Sequence, residues 1–292
     1  MMLEKYFNNR FFILYLIPFF IGTLTVFSFQ PFNLTIINFF ILPIFFVLTI
    51  YINKKSKSTF RKKPYKKNLF IFGALFGFGF YLSGISWITN SLTFDENFKV
   101  LIPFALILIP MFLSLFLGFT ILFIGPYLSY NFSSIFIFSG AIAFSDFLRA
   151  KLFTGFPWNL WAYSTSWMIE ILQVLSLTGL HLYNLLVISF FTMPAIIFFR
   201  ISLIKKSLCF ILTILIILFF FIYGNYVINK NKEILEVSKN SFFVKIISPN
   251  FKLEYGLSKK EIENRFKKLI RYSDPDKDRK TLFIWPEGII PD

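Results

Sequence analysis

The 292-residue chain has one cysteine, Cys209, and one histidine, His181. A lone thiol excludes an internal disulfide and any multi-thiol metal site. Cys209 lies inside an apolar run, a setting that keeps a thiol protonated, so it reads as a buried residue and not as a nucleophile. Charge is scarce as well, with Asp, Glu, Lys and Arg together making up 15% of residues. Long runs contain none of the four. A carrier that couples transport to ions or protons needs ionisable groups within its spans, so their lack counts against transport. His181 sits near the end of one such run and is expected to be a hydrogen-bonded interfacial histidine.

What fills the chain instead is apolar: 56% of residues are hydrophobic and 45 are Phe. Crossing a bilayer takes about 20 helical residues. Runs of that order occupy 11–29, 34–52, 69–89, 100–124, 127–145, 171–199 and 207–228, so the sequence predicts seven membrane crossings. Between the fourth and fifth, the turn signals are Gly125-Pro126 and the polar Asn131, Ser133 and Ser134. The net charge of +15 resides in loops. KKSKSTFRKKPYKK, between the second and third runs, has eight basic residues and no acid, whereas the next loop carries Asp95 and Glu96 beside Lys99. Basic short loops stay cytoplasmic. Lys5 and Arg10 before the first run, and Arg200, Lys205 and Lys206 before the seventh, fall on the same side. The expected topology therefore has a cytoplasmic N-terminus, a retained first span and an external tail. The basic loop reads as a topology signal in contact with anionic lipids, not as a nucleic-acid site.

Small residues and breakers shape the predicted bundle. Gly73 and Gly77, four apart and followed by Gly84, let helices approach closely. Pro103 and Pro110 are expected to kink the fourth span and Pro194 the sixth. A groove between helices, open to lipid, is the expected product. The loop after the fifth run, FSDFLRAKLFTGFPWNLWAYSTSW, gathers Trp158, Trp161, Tyr163 and Trp167, aromatics that anchor at head-group level. Asp146 and Arg149 are three apart, a spacing at which helical side chains pair. With Gly155 and Pro157 between the aromatics, this loop is a candidate lining for a lipid head-group site.

From residue 230 the composition turns polar, with 14 basic and 10 acidic residues in the last 63. FFVKIIS, 242–248, predicts a strand stopped by Pro249-Asn250. Ser258 and Glu261 form a capping box ahead of a helix that gathers Ile262, Phe266, Leu269 and Ile270 on one face and ends near Ser273. TLFIW, 281–285, is a second strand, apolar on both faces as parallel strands are. Strand, helix, strand is the first unit of an α/β domain, whose functional groups lie beyond the carboxyl ends of the strands. Glu287 stands there.

Four stretches together resemble the apolipoprotein N-acyltransferases: GFGFYLSGISWITNSL, DFLRAKLFTGFPWNLWAYS, LQVLSLTGLHLYNLL and IWPEGIIP. The combination of TGFPW and WPE in one polytopic chain is specific, and either alone is weak. Asp146 stands where the family usually has Glu, and Ser248 where it usually has Gln. The resemblance implies a mainly α fold: a bundle of about seven spans over 1–229, then the first β-α-β unit of a nitrilase-like (carbon-nitrogen hydrolase) domain over 230–292. It implies lipoprotein maturation in a bacterial inner membrane, with a periplasmic tail. A Glu, a Lys and a Cys would act as a triad without metal or cofactor, the Glu mapping onto Glu287. The donor would be a phospholipid and the acceptor the lipidated N-terminal cysteine of a diacylglyceryl-apolipoprotein. Asp146, Arg149, Thr154, Gly155, Phe156, Pro157 and Trp158 are its candidate lipid-loop residues.

The Lys and Cys expected after Glu287 have no counterpart among these 292 residues. The resemblance therefore implies a truncated form that does not acylate lipoproteins alone, or a fragment completed by a separate polypeptide bearing Lys and Cys. A non-catalytic membrane remnant is the alternative from another class. An amidase of the broader nitrilase group is a third reading, disfavoured because a soluble amide needs no membrane bundle.

Overall fold

The computed structural model describes residues 11–59, 65–153, 155–237, 242–251, 256–276 and 278–286. Its apolar runs are helical: α1 (Phe12–Ser28), α2 (Asn38–Thr59), α3 (Tyr65–Gly84), α4 (Ile102–Ile124), α5 (Phe132–Lys151), α6 (Leu175–Thr192) and α7 (Leu203–Val237). Among the described residues, five helical stretches are long and apolar enough to cross a membrane. A sixth qualifies only if α3 is joined to the 3-10 segment Ser86–Thr93, with a bend of 47° between them. α1 is shorter still: at 1.5 Å per residue it spans roughly 25 Å, less than a hydrocarbon core of about 30 Å. Seven full-length straight crossings are therefore not present among the described residues. The difference lies in the helix ends, where α1 runs out into a 3-10 turn at Thr25–Ser28 and α3 stops at Gly84.

The boundary between the fourth and fifth runs falls where the turn residues pointed. α4 ends at Ile124, Gly125–Tyr127 makes a 3-10 turn, and the Asn131 side chain accepts from the Ser134 amide at 2.8 Å to cap α5. That bond satisfies an amide with no partner in the helix ladder. Of the three prolines expected to kink spans, two stand at the starts of elements. Pro103 occupies the first turn of α4 and Pro194 the first turn of the 3-10 segment Met193–Phe198, positions where a missing N–H costs nothing. Pro110 is inside α4. A break that no proline marks occurs in α6 at Gly179, with φ 68°.

Close helix approach follows the predicted glycines. A Cβ on Gly73 would come 2.7 Å from the Leu117 carbonyl of α4, and one on Gly77 3.1 Å from Ser114 Cα. Aromatic stacking fills the centre: Phe45 of α2 lies 3.9 Å from Phe76 of α3, Phe138 of α5 packs edge-on to Phe45 and Phe46, and Trp161 stacks on Phe80. These side chains are fully buried, and an aromatic pair in such a geometry contributes about 0.5–1.5 kcal/mol beyond its buried area.

In the tail, β1 (Phe243–Ile246) and β2 (Thr281–Ile284) pair in parallel, Phe243 opposite Thr281 and Ile246 opposite Ile284. Between them α8 (Lys259–Ser273) carries the expected capping box, Ser258 with Glu261. The Ser258 hydroxyl and amide bonds hold the Glu261 carboxyl below the usual carboxylate range. Leu269 is the buried residue of the helix face, and Trp285, just after β2, donates to Ser273 Oγ at 3.0 Å and meets Phe266 edge-on.

Candidate functional site

α5 does not end at Ser145 as the apolar run does; it continues to Lys151 and so carries Asp146 and Arg149 inside a helix packed in the bundle. The fifth helix is therefore not free of ionisable groups. Both are almost fully buried, 2% and 1% exposed, and Arg149 Nη2 donates to Asp146 Oδ1 at 3.1 Å. Burial of such a pair is tolerable only with further hydrogen bonds, and these are present. Asn184 of α6 donates from Nδ2 to Asp146 Oδ2 at 2.9 Å while its own Oδ1 accepts from the Ala162 amide. Arg149 Nη1 donates to the carbonyls of Phe156 and Trp158, each at 2.6 Å, and its guanidinium lies 5.2 Å from the Tyr81 ring.

The ion pair thus fixes the backbone of the loop at two carbonyls. Local geometry does the rest. Gly155 has φ 81°, and a Cβ there would come 2.6 Å from the Ala150 carbonyl, so glycine is required. The Phe156 amide closes the turn onto the Arg149 carbonyl at 2.9 Å. Phe153, at φ 55°, is a bulky residue in the left-handed region; its ring packs edge-on against Phe112 of α4. Downstream, Trp167 Nε1 donates to Thr35 Oγ1, which donates to the Ser164 carbonyl, and Asn38 donates to Ser164 Oγ. The loop is stitched to the turn between α1 and α2.

Of the seven candidate loop residues, the structure brings Asp146, Arg149, Phe156 and Trp158 into one network, with Gly155 shaping the turn and Pro157 between the two bonded carbonyls. Thr154 and Glu287 lie outside the described residues. Asn184, Tyr81 and Trp87 were not among the candidates. An Asn within the apolar LHLYNLLV was the readable signal for the first, since a buried amide in a membrane helix needs a partner. His181 differs from expectation: its buried Nδ1 has no hydrogen-bond partner among the described residues, and its ring stands edge-on to Phe147.

Among the cavities that this loop lines, two adjoin the stretch from Phe153 to Asn159. Between α4 and α5 a groove of about 620 Å³ is lined by Phe116, Phe119, Phe144, Leu148 and Phe153, among others, with Ser145 and Thr120 as its polar members. At the end of the bundle that holds Gly84 and Lys151, hereafter the loop end, a smaller cavity of about 230 Å³ lies under Trp158. There the Trp158 and Trp87 rings meet edge to face, 5.7 Å apart. Tyr163 borders it, and burial raises its phenol above the usual range, so it remains an O–H donor at neutral pH.

Apolar helices of membrane-crossing length, an interfacial aromatic loop and a groove along two of the helices define a polytopic membrane protein. The family model described as Apolipoprotein N-acyltransferase N-terminal domain matches residues 21–193, a stretch that includes the loop and both cavities. The chain belongs to that family. Proteins named Apolipoprotein N-acyltransferase are similar to it: one from Brucella melitensis is 28% identical over 228 residues, covering 75% of this chain and 41% of its own length. One from Agrobacterium fabrum is 28% identical over 226 residues, with the same shares. One from Rhodopseudomonas palustris reaches 34% over 129 residues, 42% of this chain and 23% of its own length. The chain thus spans about two fifths of the length of the first two relatives.

Proposed function

We propose that this chain provides the membrane half of an apolipoprotein N-acyltransferase: a bundle over 1–229 that admits phospholipid acyl chains, joined to the start of a nitrilase-like domain over 230–292. It resides in a bacterial inner membrane with its N-terminus cytoplasmic and its tail periplasmic. The observation that carries the reading is the family match over 21–193; the groove between α4 and α5 supports it, because an acyl donor that lives in the bilayer needs a lateral route to the site.

Glu287 is the general base of the reaction. It accepts the proton of a cysteine thiol, the thiolate attacks an acyl ester carbonyl of the phospholipid, and a lysine steadies the oxyanion. The ester C–O bond then breaks, the lysophospholipid oxygen takes up the proton, and a thioester remains. The α-amine of a diacylglyceryl-cysteine on an apolipoprotein attacks that thioester, forming the amide and releasing the thiol. Cys209 does not serve, since it sits in the apolar α7. The nucleophile and lysine come from outside these 292 residues, either from more of the same protein or from a second polypeptide.

Complementation of a bacterial strain depleted of its own enzyme tests this. Residues 1–292 alone are expected to leave apolipoproteins unacylated. Joining them to the carboxyl-terminal remainder of the Brucella melitensis relative is expected to restore N-acylation, and Glu287→Gln in that chimaera to abolish it. Full activity of the Glu287→Gln chimaera, or N-acylation by 1–292 alone, overturns the proposal.

A further inference from the structure

The tail carries a charge asymmetry that the proposed reaction does not use. Of its 14 basic and 10 acidic residues over 230–292, α8 holds six and two. The remainder has eight of each, so all of the tail's net charge lies on this one helix.

Nor are the charges spread evenly around it. At about 100° per residue, Lys260, Lys267 and Arg271 fall within about 40° of one another, along roughly 16 Å of helix axis. All three are exposed, and among the described residues none has a carboxylate partner. Two other cations of α8 are engaged: Arg265 and Lys268 each lie 5.1 Å from the Phe251 ring. The stripe points away from the strands, because the buried Leu269 and Phe266, which meets Trp285 edge-on, occupy the opposite side of the helix. Of the two acids, Glu261 is turned to the Ser258 cap and Glu263 stands at one border of the stripe.

Three long, unpaired cations in a line offer charge and reach but no fixed register. Such a surface fits a partner that is anionic and laterally continuous. Five residues separate Val237, at the end of α7, from Phe243, at the start of β1, which is at most about 20 Å of chain. A membrane crossed by α7 therefore stays within reach of the tail, whereas an acidic partner in solution must first give up its freedom of movement. Where lipids are anionic, a basic side chain beside a membrane helix strengthens surface binding by about five-fold. We propose that the face of α8 bearing Lys260, Lys267 and Arg271 docks on the head groups of anionic phospholipids, laying the helix along the membrane surface. The inference rests on α7 crossing the membrane and not on acyl transfer.

The test measures the distance of α8 from the lipid in the full chain. Asn264→Cys, in the middle of the stripe, takes a fluorophore, with Cys209→Ala leaving it the one thiol. The protein is placed in nanodiscs that contain a trace of choline lipid with a nitroxide on its head group, the bulk being choline lipid alone or choline lipid mixed with glycerol-head-group lipid. The docked-to-free ratio read from quenching is expected to be about a hundred-fold higher with the anionic lipid, five-fold for each of three cations. At about 1 M salt, where the screening length falls to about 3 Å, it is expected to return to the choline level. Lys267→Gln is expected to lower it about five-fold, and Lys260→Glu with Lys267→Glu and Arg271→Glu to abolish it; these side chains are exposed, so the helix survives their replacement. Equal quenching in the two lipids, quenching indifferent to salt, or unchanged quenching in the charge-reversed protein overturns the proposal. So does release of α8 from the anionic discs by soluble polyglutamate at an equal concentration of charge, since the stripe would then favour an acidic protein.

Discussion

Arg149 reaches the Trp158 carbonyl at 2.6 Å across nine residues of chain, from inside a membrane helix to the interfacial loop. Because its charge is countered only by Asp146 among the described residues and its other nitrogen bonds go to backbone, the loop conformation and the buried ion pair stand or fall together. Arg149→Met is expected to destabilise the bundle by about 3–5 kcal/mol, since it strands the Asp146 carboxylate. The double variant Asp146→Leu with Arg149→Met is expected to recover part of that loss, because no uncompensated charge is left. Thermal unfolding of the two proteins in detergent decides. A double variant no more stable than the single one would mean that loop anchoring, not charge pairing, dominates.

Helix contact between α1 and α3 depends on a bare Cα at Gly79. A Cβ there would collide with the Phe19 carbonyl, whereas one on Gly140 of α5 meets nothing within 4 Å. Gly79→Ala is therefore expected to cost about 1–3 kcal/mol. Gly140→Ala is expected to be neutral or to stabilise by up to about 1 kcal/mol through helix propensity. Paired melting curves check the contrast, and equal shifts would contradict it.

The groove between α4 and α5 should be closed by volume alone. Ala141 lines it, and Ala141→Trp places an indole in the space an acyl chain would use. Labelling of α5 by a phospholipid with a photoreactive acyl chain is expected to fall about ten-fold, taking about 1–3 kcal/mol for the added bulk. Labelling that persists would mean the groove is not the acyl route.

At α8, the sign of the pH effect follows from the depressed Glu261 carboxyl. A group whose folded pKa lies below its unfolded value of about 4.3 contributes stability above that unfolded value, and the contribution disappears as pH falls through the folded one. Amide exchange at Glu261 and Ile262 is expected to quicken, relative to the intrinsic rate, as the pH is lowered below about 4. In Glu261→Gln the exchange should show no such acid step. An identical pH profile in the variant would remove Glu261 as the cause.

Much of this was legible from the order of residues. The apolar runs marked every long helix, the turn residues 125–134 set the α4–α5 boundary, and Ser258 with Glu261 marked the start of α8. Spacing alone suggested the Asp146–Arg149 pair, because three residues is one helical turn. What spacing could not convey was depth. The charged pair was read as belonging to a loop since apolarity ends at Ser145, while the helix continues because Asn184, Phe156 and Trp158 supply partners for the charges from distant or irregular segments. Trp87 and Asn159 escaped for the same reason: their meeting depends on left-handed backbone at Asn159 and on a bare Cα at Gly84, neither of which has a periodic signature. The bend after α3 carries no proline, and the break at Gly179 is the glycine's own positive φ.

α7 runs for 35 residues, and only 11% of its apolar window is buried by the rest of the protein. It is seated at Gly224, where a Cβ would strike the Glu170 carbonyl. Its apolar part, 207–229, covers about 34 Å and so fills a bilayer, leaving residues 230–237 to extend the same rigid rod about 12 Å beyond the lipid. A mast of that kind carries its own far end clear of the hydrocarbon, so inserting or deleting a single helical turn between Lys230 and Glu236 would shift that end by about 5 Å and rotate it little.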